Sequence, residues 1–230
     1  MRLHILVEGR TEQTFVRRVL GPHLCRIGWQ EASATQLVTR RERSRQWKGG
    51  VSRYARVKGD VEARLREHGS DVCVTTMIDL YALPPDFPAM AAHRPDADPY
   101  RRVAALQAAF AADIADPRFV PYLQLHEFEA LVLSDLPQLA DLFELGAATL
   151  TPLQAAVRAN GDNPELVDDG PSTSPSKRII AAVPQYGGDK ASVGPLLAEA
   201  IGLETLRQRC RHFGEWLTKL EHVVQRKSAI

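Results

Sequence analysis

Short apolar runs alternate with amphipathic segments along the first part of the chain. Leu3 to Val7 is an aliphatic run followed by Glu-Gly, which predicts a strand that enters a turn. From Thr11, apolar residues recur at helical spacing and predict a helix. This helix is expected to end or kink at Gly21-Pro22, to continue to about residue 27, and to precede a second strand at residues 35–39.

Two further helix and strand pairs follow. The spacing of apolar residues predicts an amphipathic helix over residues 52–68, and the β-branched run Asp71 to Asp79 predicts a strand covered on both faces, as in a parallel sheet. Asp98-Pro99 supplies an N-cap and a first-turn proline, which predict the next helix. Residues 118–126 predict a fourth strand, and Pro121 favours a position at a sheet edge or a bulge.

The later part of the chain has a helical pattern without further strand signals. Helices are expected near residues 137–144 and 152–160, and from about residues 177, 191, 203 and 213. The alternation of elements predicts an α/β fold: a small, mostly parallel, four-stranded Rossmann-like sheet with helices on both faces, plus a C-terminal helical extension. We predict a core domain of residues 1–135 and a helical extension of residues 136–230 packed on it.

Composition changes this picture little. The 230 residues are 44% hydrophobic and 25% charged, which is ordinary for a globular protein and excludes a disordered or fibrous chain. The three cysteines are far apart and predict neither a zinc site nor a disulfide framework. The N-terminal apolar run is too short for a signal peptide or a membrane span. The sequence therefore predicts a soluble, cytoplasmic protein with no membrane partner.

Charge is distributed unevenly. Residues 40–58, which form an insertion in the core domain, carry a net charge of +7, whereas the whole chain carries +1. Basic side chains interleaved with aromatic ones are a known way to bind nucleic acid, and the sequence does not distinguish DNA from RNA. The alternative is a solvated loop and helix face. The candidate nucleic-acid-binding residues are Arg40, Arg41, Arg43, Arg45, Trp47, Lys48, Arg53 and Tyr54.

Acidic residues follow the ends of several predicted strands. Glu8, Asp79 and the pair Glu127 and Glu129 all lie at such ends. Ligands of open parallel sheets bind outside the carboxyl ends of the strands, so these acids are expected to converge there. Converging carboxylates repel one another unless a cation lies between them, which predicts a site for Mg²⁺ or Mn²⁺.

Each acid also has a structural explanation. Glu8 can interact with the dipole of the following helix, and Asp79 can cap a turn. Glu127 and Glu129 lie on one face of a strand but diverge on a helix, so one of them is expected to be solvated. Glu12 lies one helical turn after Glu8 and either lines the same edge of the sheet or faces solvent.

Two lysines and a histidine are further candidates. Lys190 in YGGDKASVG and Lys177 in SPSKRI lie in glycine- and serine-rich surroundings that let a phosphate approach. The alternative for each lysine is a solvent-exposed position at a helix start. His126 is a candidate for ligation or proton transfer, or else a hydrogen-bonded structural residue.

Several stretches together resemble a known family. The stretches VEGRTEQTF, MIDLYALPPDFP, YLQLHEFEALVLSD, SPSKRI and YGGDKASVG make the chain similar to a bacterial family of unknown function, number 4276. The opening VEGRTE also resembles Toprim domains, in particular those of overcoming-lysogenization-defect nucleases. The resemblance implies a Toprim fold in which a first-strand Glu and a strand-borne Asp-x-Asp bind Mg²⁺ for phosphodiester chemistry.

The chain departs from this pattern at one position. Glu8 matches the first-strand Glu and Asp79 the first Asp, but Tyr81 occupies the position of the second Asp. Glu127, Glu129 or Asp86 would have to compensate. The resemblance also implies coupling to an ATPase in a phage-defence type role. The chain has no GxxxxGK[ST] phosphate loop, so the ATPase is expected to be a separate protein.

These observations lead to two functional hypotheses. The first is a metal-dependent nuclease in which Glu8, Asp79 and Lys190 act at the phosphodiester bond. The second is a degenerate Toprim module that binds nucleic acid or a partner protein without cleaving anything. A phosphatase or phosphotransferase for small molecules is less favoured, because a small substrate does not need so extended a cationic surface.

Overall fold

Five strands form the sheet in the part of the chain that the structure describes. The structure, a computed structural model, describes residues 1–37, 53–67, 71–92, 98–167, 170 and 173–228. The strands are β1 (Arg2–Val7), β2 (Glu31–Gln36), β3 (Val72–Asp79), β4 (Phe119–Val120) and β5 (Leu123–Gln124). Their order is β2-β1-β3-β4, β5 also pairs with β3, and every pairing is parallel. The predicted α/β fold with a small parallel sheet is confirmed.

The order of the strands sets the place of any ligand. β2 and β3 flank β1 on opposite sides, so the chain crosses over β1 between them. The switch point of the sheet therefore lies between the carboxyl ends of β1 and β3, where Val7 is in register with Met77. Open α/β sheets bind ligands at such a point.

Helices cover both faces of the sheet. Leu3, Ile5 and Val7 of β1 point into one core, together with helices from both halves of the chain. Leu6, between them, points into a second core. Alternate side chains of a strand face opposite ways, so a strand apolar at successive positions is covered on both sides.

The first helical region continues past Gly21-Pro22 to Arg26, close to the predicted end at about residue 27. Helix α1 (Arg10–Phe15) runs through a π-helical segment (Val16–Leu20) directly into α2 (Gly21–Arg26), so Gly21-Pro22 does not end the helix. A π turn accommodates the missing proline N–H inside a helix. Gly21 also allows close packing, because a Cβ there would lie 3.1 Å from the carbonyl oxygen of Ala32 in β2.

Strands β2, β4 and β5 differ from their predicted bounds. β2 begins at Glu31, four residues before the predicted start, since pairing with β1 outweighs the low strand propensity of its alanines. The predicted end of this strand lies outside the described residues. The single strand predicted at residues 118–126 is two short ones, because Pro121 lacks the N–H that the ladder needs.

The remaining helices follow the predicted order closely. Helix α3 (Tyr54–Glu67) and helix α4 (Pro99–Ile114) pack on the second core, and the Asp98 side chain accepts the Arg101 N–H as the predicted N-cap. The later helices are α5 (Glu129–Val132), α6 (Leu136–Phe143), α7 (Ala147–Ala159), α8 (Pro175–Ala182), α9 (Tyr186–Ile201), α10 (Leu203–Arg209) and α11 (Arg211–Ser228). The predicted helical C-terminal region is confirmed.

No helix in the described part of the chain combines the length and apolarity that a membrane span requires.

Candidate acidic site at the switch point of the sheet

Two carboxylates flank the switch point. Glu8 follows the last residue of β1, and Asp79 is the last residue of β3. The Asp79 backbone N–H donates to the Glu8 carboxylate. One oxygen of each side chain, Glu8 Oε2 and Asp79 Oδ1, is buried and has no hydrogen-bond partner among the described residues. Buried polar atoms in native proteins are nearly always paired, so two unpaired carboxylate oxygens at this point indicate a place for a ligand.

Glu12 belongs to the same group of charges. It is 5% exposed, and its Oε2 accepts the Gly9 N–H at 2.9 Å. This contact fixes the turn between β1 and α1, and hence the backbone that carries Glu8. Glu12 therefore lines the edge of the sheet and does not face solvent.

Glu127 and Glu129 approach the site from the segment after β5. Glu127 accepts the Ser176 backbone N–H at the start of α8. Glu129 lies in the first turn of α5, is 2% exposed, and accepts the Tyr186 hydroxyl hydrogen at 3.3 Å. The expectation that one of the pair is solvated is wrong, because α8 and α9 cover this segment and supply a hydrogen-bond donor to each carboxylate.

Lys190 is the cation of the group. Its Nζ lies 3.5 Å from Glu129 Oε1, and the side chain is 47% exposed. Burial lowers the pKa of Lys190. The carboxylates of Glu129, Glu127 and Asp79 raise this pKa by more than burial lowers it, so the net shift is upward. Helix α9 has a kink at Asp189, whose backbone is not helical, immediately before this lysine. The ammonium group is therefore charged, partly open to solvent and directed toward the carboxylates.

Five carboxylates with one ammonium make the site strongly electronegative. Burial, and then repulsion from Glu12, raises the pKa of Glu8 to about 7. Burial also raises the pKa of Asp79 well above its usual range, and Glu8, Glu12, Glu129 and Glu127 add to the effect in that order. Such a group either takes up protons or binds a cation.

We predict that the stability of the metal-free protein, measured in the presence of a chelator, has an unusual pH dependence. The folded state holds the Glu8 proton more tightly than the unfolded state, so Glu8 destabilises the fold progressively as the pH rises from 4.5 to 7. Over this range, the unfolding free energy of Glu8→Gln is expected to increase by about 3 kcal/mol relative to that of wild type. Urea unfolding at pH 5 and pH 8 measures it.

The matched control for this measurement is Glu62→Gln. Glu62 forms an exposed i,i+4 pair with Arg66 on α3, and such pairs contribute little. The difference in unfolding free energy between Glu62→Gln and wild type should therefore be almost the same at both pH values. Equal differences for Glu8→Gln at pH 5 and pH 8 would show that Glu8 is not destabilised in the fold.

Tyr81 and His126 lie together at the same edge of the sheet. Tyr81 is 39% exposed, its ring centroid lies 5.6 Å from that of His126, and its N–H donates to the His126 carbonyl oxygen. His126 is buried and has a positive φ of 62°, an uncommon conformation for a residue other than glycine that tends to occur at functional sites. This turn directs the chain from β5 toward Glu127.

Three other candidates lie elsewhere. Asp86 is exposed and accepts the Tyr54 N–H at 3.0 Å, so it caps α3. Lys177 is exposed on α8 and makes no ion pair with a described carboxylate. The Tyr54 hydroxyl donates to Asp113 at 2.6 Å and its ring packs on Phe87 and Phe110, which argues against base stacking.

Among the other predicted nucleic-acid-binding residues, Arg53 is exposed at the start of α3. Six lie outside the described residues: Arg40, Arg41, Arg43, Arg45, Trp47 and Lys48.

Sequence reasoning missed two residues that shape the site. Tyr186 is buried and holds Glu129, and the only signal for it was its position four residues before Lys190. Gly194 lies at the contact of α9 with α1, where a Cβ would come within 3.1 Å of Tyr186 Oη and 3.3 Å of Phe128 Cε1. A glycine here lets α9 bring Tyr186 and Lys190 close to the acids.

The donor set fits Mg²⁺ or Mn²⁺, which prefer hard oxygen ligands. The buried, unpaired oxygens of Glu8 and Asp79 are the atoms that such an ion would satisfy. No three His, Cys, Asp or Glu side chains within the described ranges already stand in a metal-ligand arrangement. Mg²⁺ is commonly held by one or two carboxylates, with waters and substrate phosphates as the other ligands, so two protein ligands are sufficient.

Comparison with known families gives one clear result. Residues 7–221 match the family DUF4276, described as a domain of unknown function, and the chain belongs to this family. The predicted membership is confirmed. The family description names no activity. No curated protein matches the chain significantly.

The comparison with solved structures found a protein that is similar to the chain. It is the C-terminal region of the OLD protein of Xanthomonas campestris pv. campestris, with a TM-score of 0.48 and 16% sequence identity. The match covers 100% of this chain and 98% of that chain.

Proposed function

We propose that the protein is a Toprim-like, metal-dependent enzyme that hydrolyses phosphodiester bonds of nucleic acid. The observation that carries the proposal is the pair of buried, unpaired carboxylate oxygens of Glu8 and Asp79 at the switch point of the sheet. Within the described ranges, neither a structural cap nor a salt bridge accounts for these two atoms. The resemblance of VEGRTE to the Toprim opening supports the same placement of a divalent ion.

Each residue of the site has a role in this chemistry. A bound Mg²⁺ or Mn²⁺ supplies Lewis acidity toward a phosphoryl oxygen and lowers the pKa of water. Asp79 would hold the ion, and Glu8 would either hold it as well or accept a proton from the attacking water. Lys190, 3.5 Å from Glu129, offsets negative charge that develops on the phosphate. Glu127 and Glu129, which are held by Ser176 and Tyr186, would accept hydrogen bonds from water at the site.

Tyr81 supports a second candidate function. With a tyrosine in place of the second Asp, the site has one carboxylate fewer than the Toprim pattern requires. The lack of a ready three-ligand group in the described chain agrees with this. The alternative is a degenerate module that binds nucleic acid or a partner protein without cleavage. In either case we propose that an ATPase, if one takes part in a phage-defence type role, is a separate subunit.

A cleavage assay on wild type and Tyr81→Asp distinguishes the two functions. We expect wild type to cleave at least one of single-stranded DNA, duplex DNA, single-stranded RNA or duplex RNA with Mg²⁺ or Mn²⁺, and to be inactive in EDTA. Tyr81→Asp adds a carboxylate at an exposed position and is expected to increase activity at low metal concentration about tenfold. Tyr81→Asn is the uncharged control.

Two results would decide against the enzyme. If wild type and Tyr81→Asp are both inert with every substrate and both metals, stand-alone nuclease activity is excluded. If only Tyr81→Asp cleaves, the natural protein is the degenerate module. Binding of the same substrates in EDTA then remains the property to measure.

A further inference from the structure

A groove next to the acidic site is lined by two arginines that have no role in the proposed chemistry. It has a volume of about 690 Å³ and lies between helix α1, its π-helical continuation and strand β2. Arg10 and Arg17 line it together with uncharged residues. We call it the α1–β2 groove. Its lining residues are Arg10, Gln13, Thr14, Val16, Arg17, Gly21, Pro22, Cys25, Ala32, Ser33 and Ala34.

The two arginines are not engaged by acids. Both are exposed, and neither forms an ion pair or a side-chain hydrogen bond with a described residue. Among the residues that the structure describes, no Asp or Glu lines the groove. Another groove, of about 430 Å³, also contains arginines, but Glu199 lines it and accepts a hydrogen bond from Arg18 at 2.7 Å. The α1–β2 groove is therefore a place where positive charge is not neutralised locally.

The shape of the groove suits an extended anionic chain. Arg10 and Arg17 are two helical turns apart, roughly 10 Å along the helix. The wall opposite is β2, whose lining residues Ala32, Ser33 and Ala34 are small. Gln13 donates to the Ala34 carbonyl oxygen at 3.2 Å and so holds the helix against this strand. The two charges are thus displayed at a fixed spacing along an open track.

One end of the groove lies next to the turn that follows Glu8. Arg10 is the first residue of α1 and lies two positions after Glu8, across the turn at Gly9. At its other wall, β2 leads in the sequence toward the predicted nucleic-acid-binding residues that begin at Arg40. A strand whose scissile phosphate lies at Glu8 would therefore meet Arg10 across the turn at Gly9.

We infer that the α1–β2 groove binds the phosphate backbone of the nucleic acid substrate, with Arg10 and Arg17 as the phosphate contacts. This inference rests on the proposed function, since it takes the substrate to be a phosphodiester polymer. The groove would be a second surface that contacts nucleic acid, in addition to the basic segment that the sequence predicts at residues 40–58. Such contacts position a strand without reading its sequence.

Binding in EDTA tests the groove without any cleavage. The probes are fluorescein-labelled single-stranded and duplex DNA and RNA oligonucleotides of about 20 nucleotides. We expect Arg10→Gln/Arg17→Gln to weaken binding tenfold or more at 100 mM salt. The slope of log K against log salt concentration should fall in magnitude by about 2 for a duplex. The matched control is Arg101→Gln. Arg101 is exposed on α4, and this helix packs on the other face of the sheet.

Cys25 provides a second readout of the same groove. It is exposed and lines the groove, whereas Cys73 and Cys210 are buried. Alkylation of Cys25 by a maleimide should slow at least threefold when the oligonucleotide binds wild type. Sodium phosphate at matched ionic strength should not protect it, because a small anion does not fill the track. Cys25→Ser identifies the labelled site.

The outcomes separate the groove from the catalytic proposal. Unchanged affinity of Arg10→Gln/Arg17→Gln together with an unprotected Cys25 would overturn the groove, even if wild type cleaves. Loss of affinity in the double variant with protection of Cys25 would support it, even if no cleavage is found. Protection by phosphate alone would assign the groove to a small anion and would contradict a polymer contact.

Discussion

Glu8→Gln is expected to abolish metal-dependent cleavage and to leave the protein folded. The variant keeps an oxygen that accepts the Asp79 N–H, but it removes the charge that holds the ion and accepts a proton. We expect a fall in cleavage rate of about 100-fold or more, the order of loss when one preorganised electrostatic group is removed from an active site. Single-turnover cleavage in Mg²⁺ and in Mn²⁺ measures it.

Thermal unfolding with and without metal tests the same variant independently of cleavage. Mg²⁺ should raise the melting temperature of wild type, because binding to the folded state stabilises it. It should raise that of Glu8→Gln much less. Glu62→Gln, with the same chemical change on an exposed helix face, should behave like wild type in both measurements. Cleavage by Glu8→Gln at the wild-type rate would remove Glu8 from the mechanism.

The local sequence was sufficient for the elements that carry Glu8 and Asp79. Glu8 and Asp79 each follow a run of apolar residues at the end of a strand. The carboxyl ends of the strands in a parallel sheet share one edge. Hydrophobic periodicity therefore predicted both the fold class and the place of these acids. Family membership followed from short stretches spread along the chain.

Long-range contacts account for most of what the sequence did not predict. Glu129 accepts a hydrogen bond from Tyr186, 57 residues away, and no local sequence pattern near Glu129 indicates this partner. Asp86 was one of three residues that could compensate for the missing second Asp, but it caps the start of α3 instead. Tyr54 lies in a basic segment, yet tertiary packing on Phe87 and Phe110 determines its position.

Pro22 shows how backbone geometry allows a helix to continue through a proline. Glycine followed by proline usually ends a helix, because proline lacks an N–H and clashes with the preceding turn. The π-helical segment at residues 16–20 widens the helix just before this point, and the helix continues. The same segment carries Arg17 on the wall of the α1–β2 groove.

Glu165→Ala is expected to cause a large loss of stability among substitutions outside the acidic site. Glu165 is fully buried and accepts the backbone N–H groups of His212 and Phe213, at 2.8 and 3.0 Å, in the first turn of α11. It also accepts the Tyr100 hydroxyl hydrogen at 3.1 Å. Removing the carboxylate leaves these buried donors unpaired, which we expect to cost about 3–5 kcal/mol in unfolding free energy. Urea unfolding at pH 7 measures the loss.

Glu165→Gln separates the negative charge from hydrogen bonding and side-chain volume. The amide oxygen can still accept one or both of the α11 N–H groups, so the loss should be less than half of that for Glu165→Ala. Glu204→Ala, in the exposed first turn of α10, should change stability by about 0.5 kcal/mol or less. If the alanine and glutamine variants lose the same amount, the negative charge itself, interacting with the start of α11, accounts for the stabilisation.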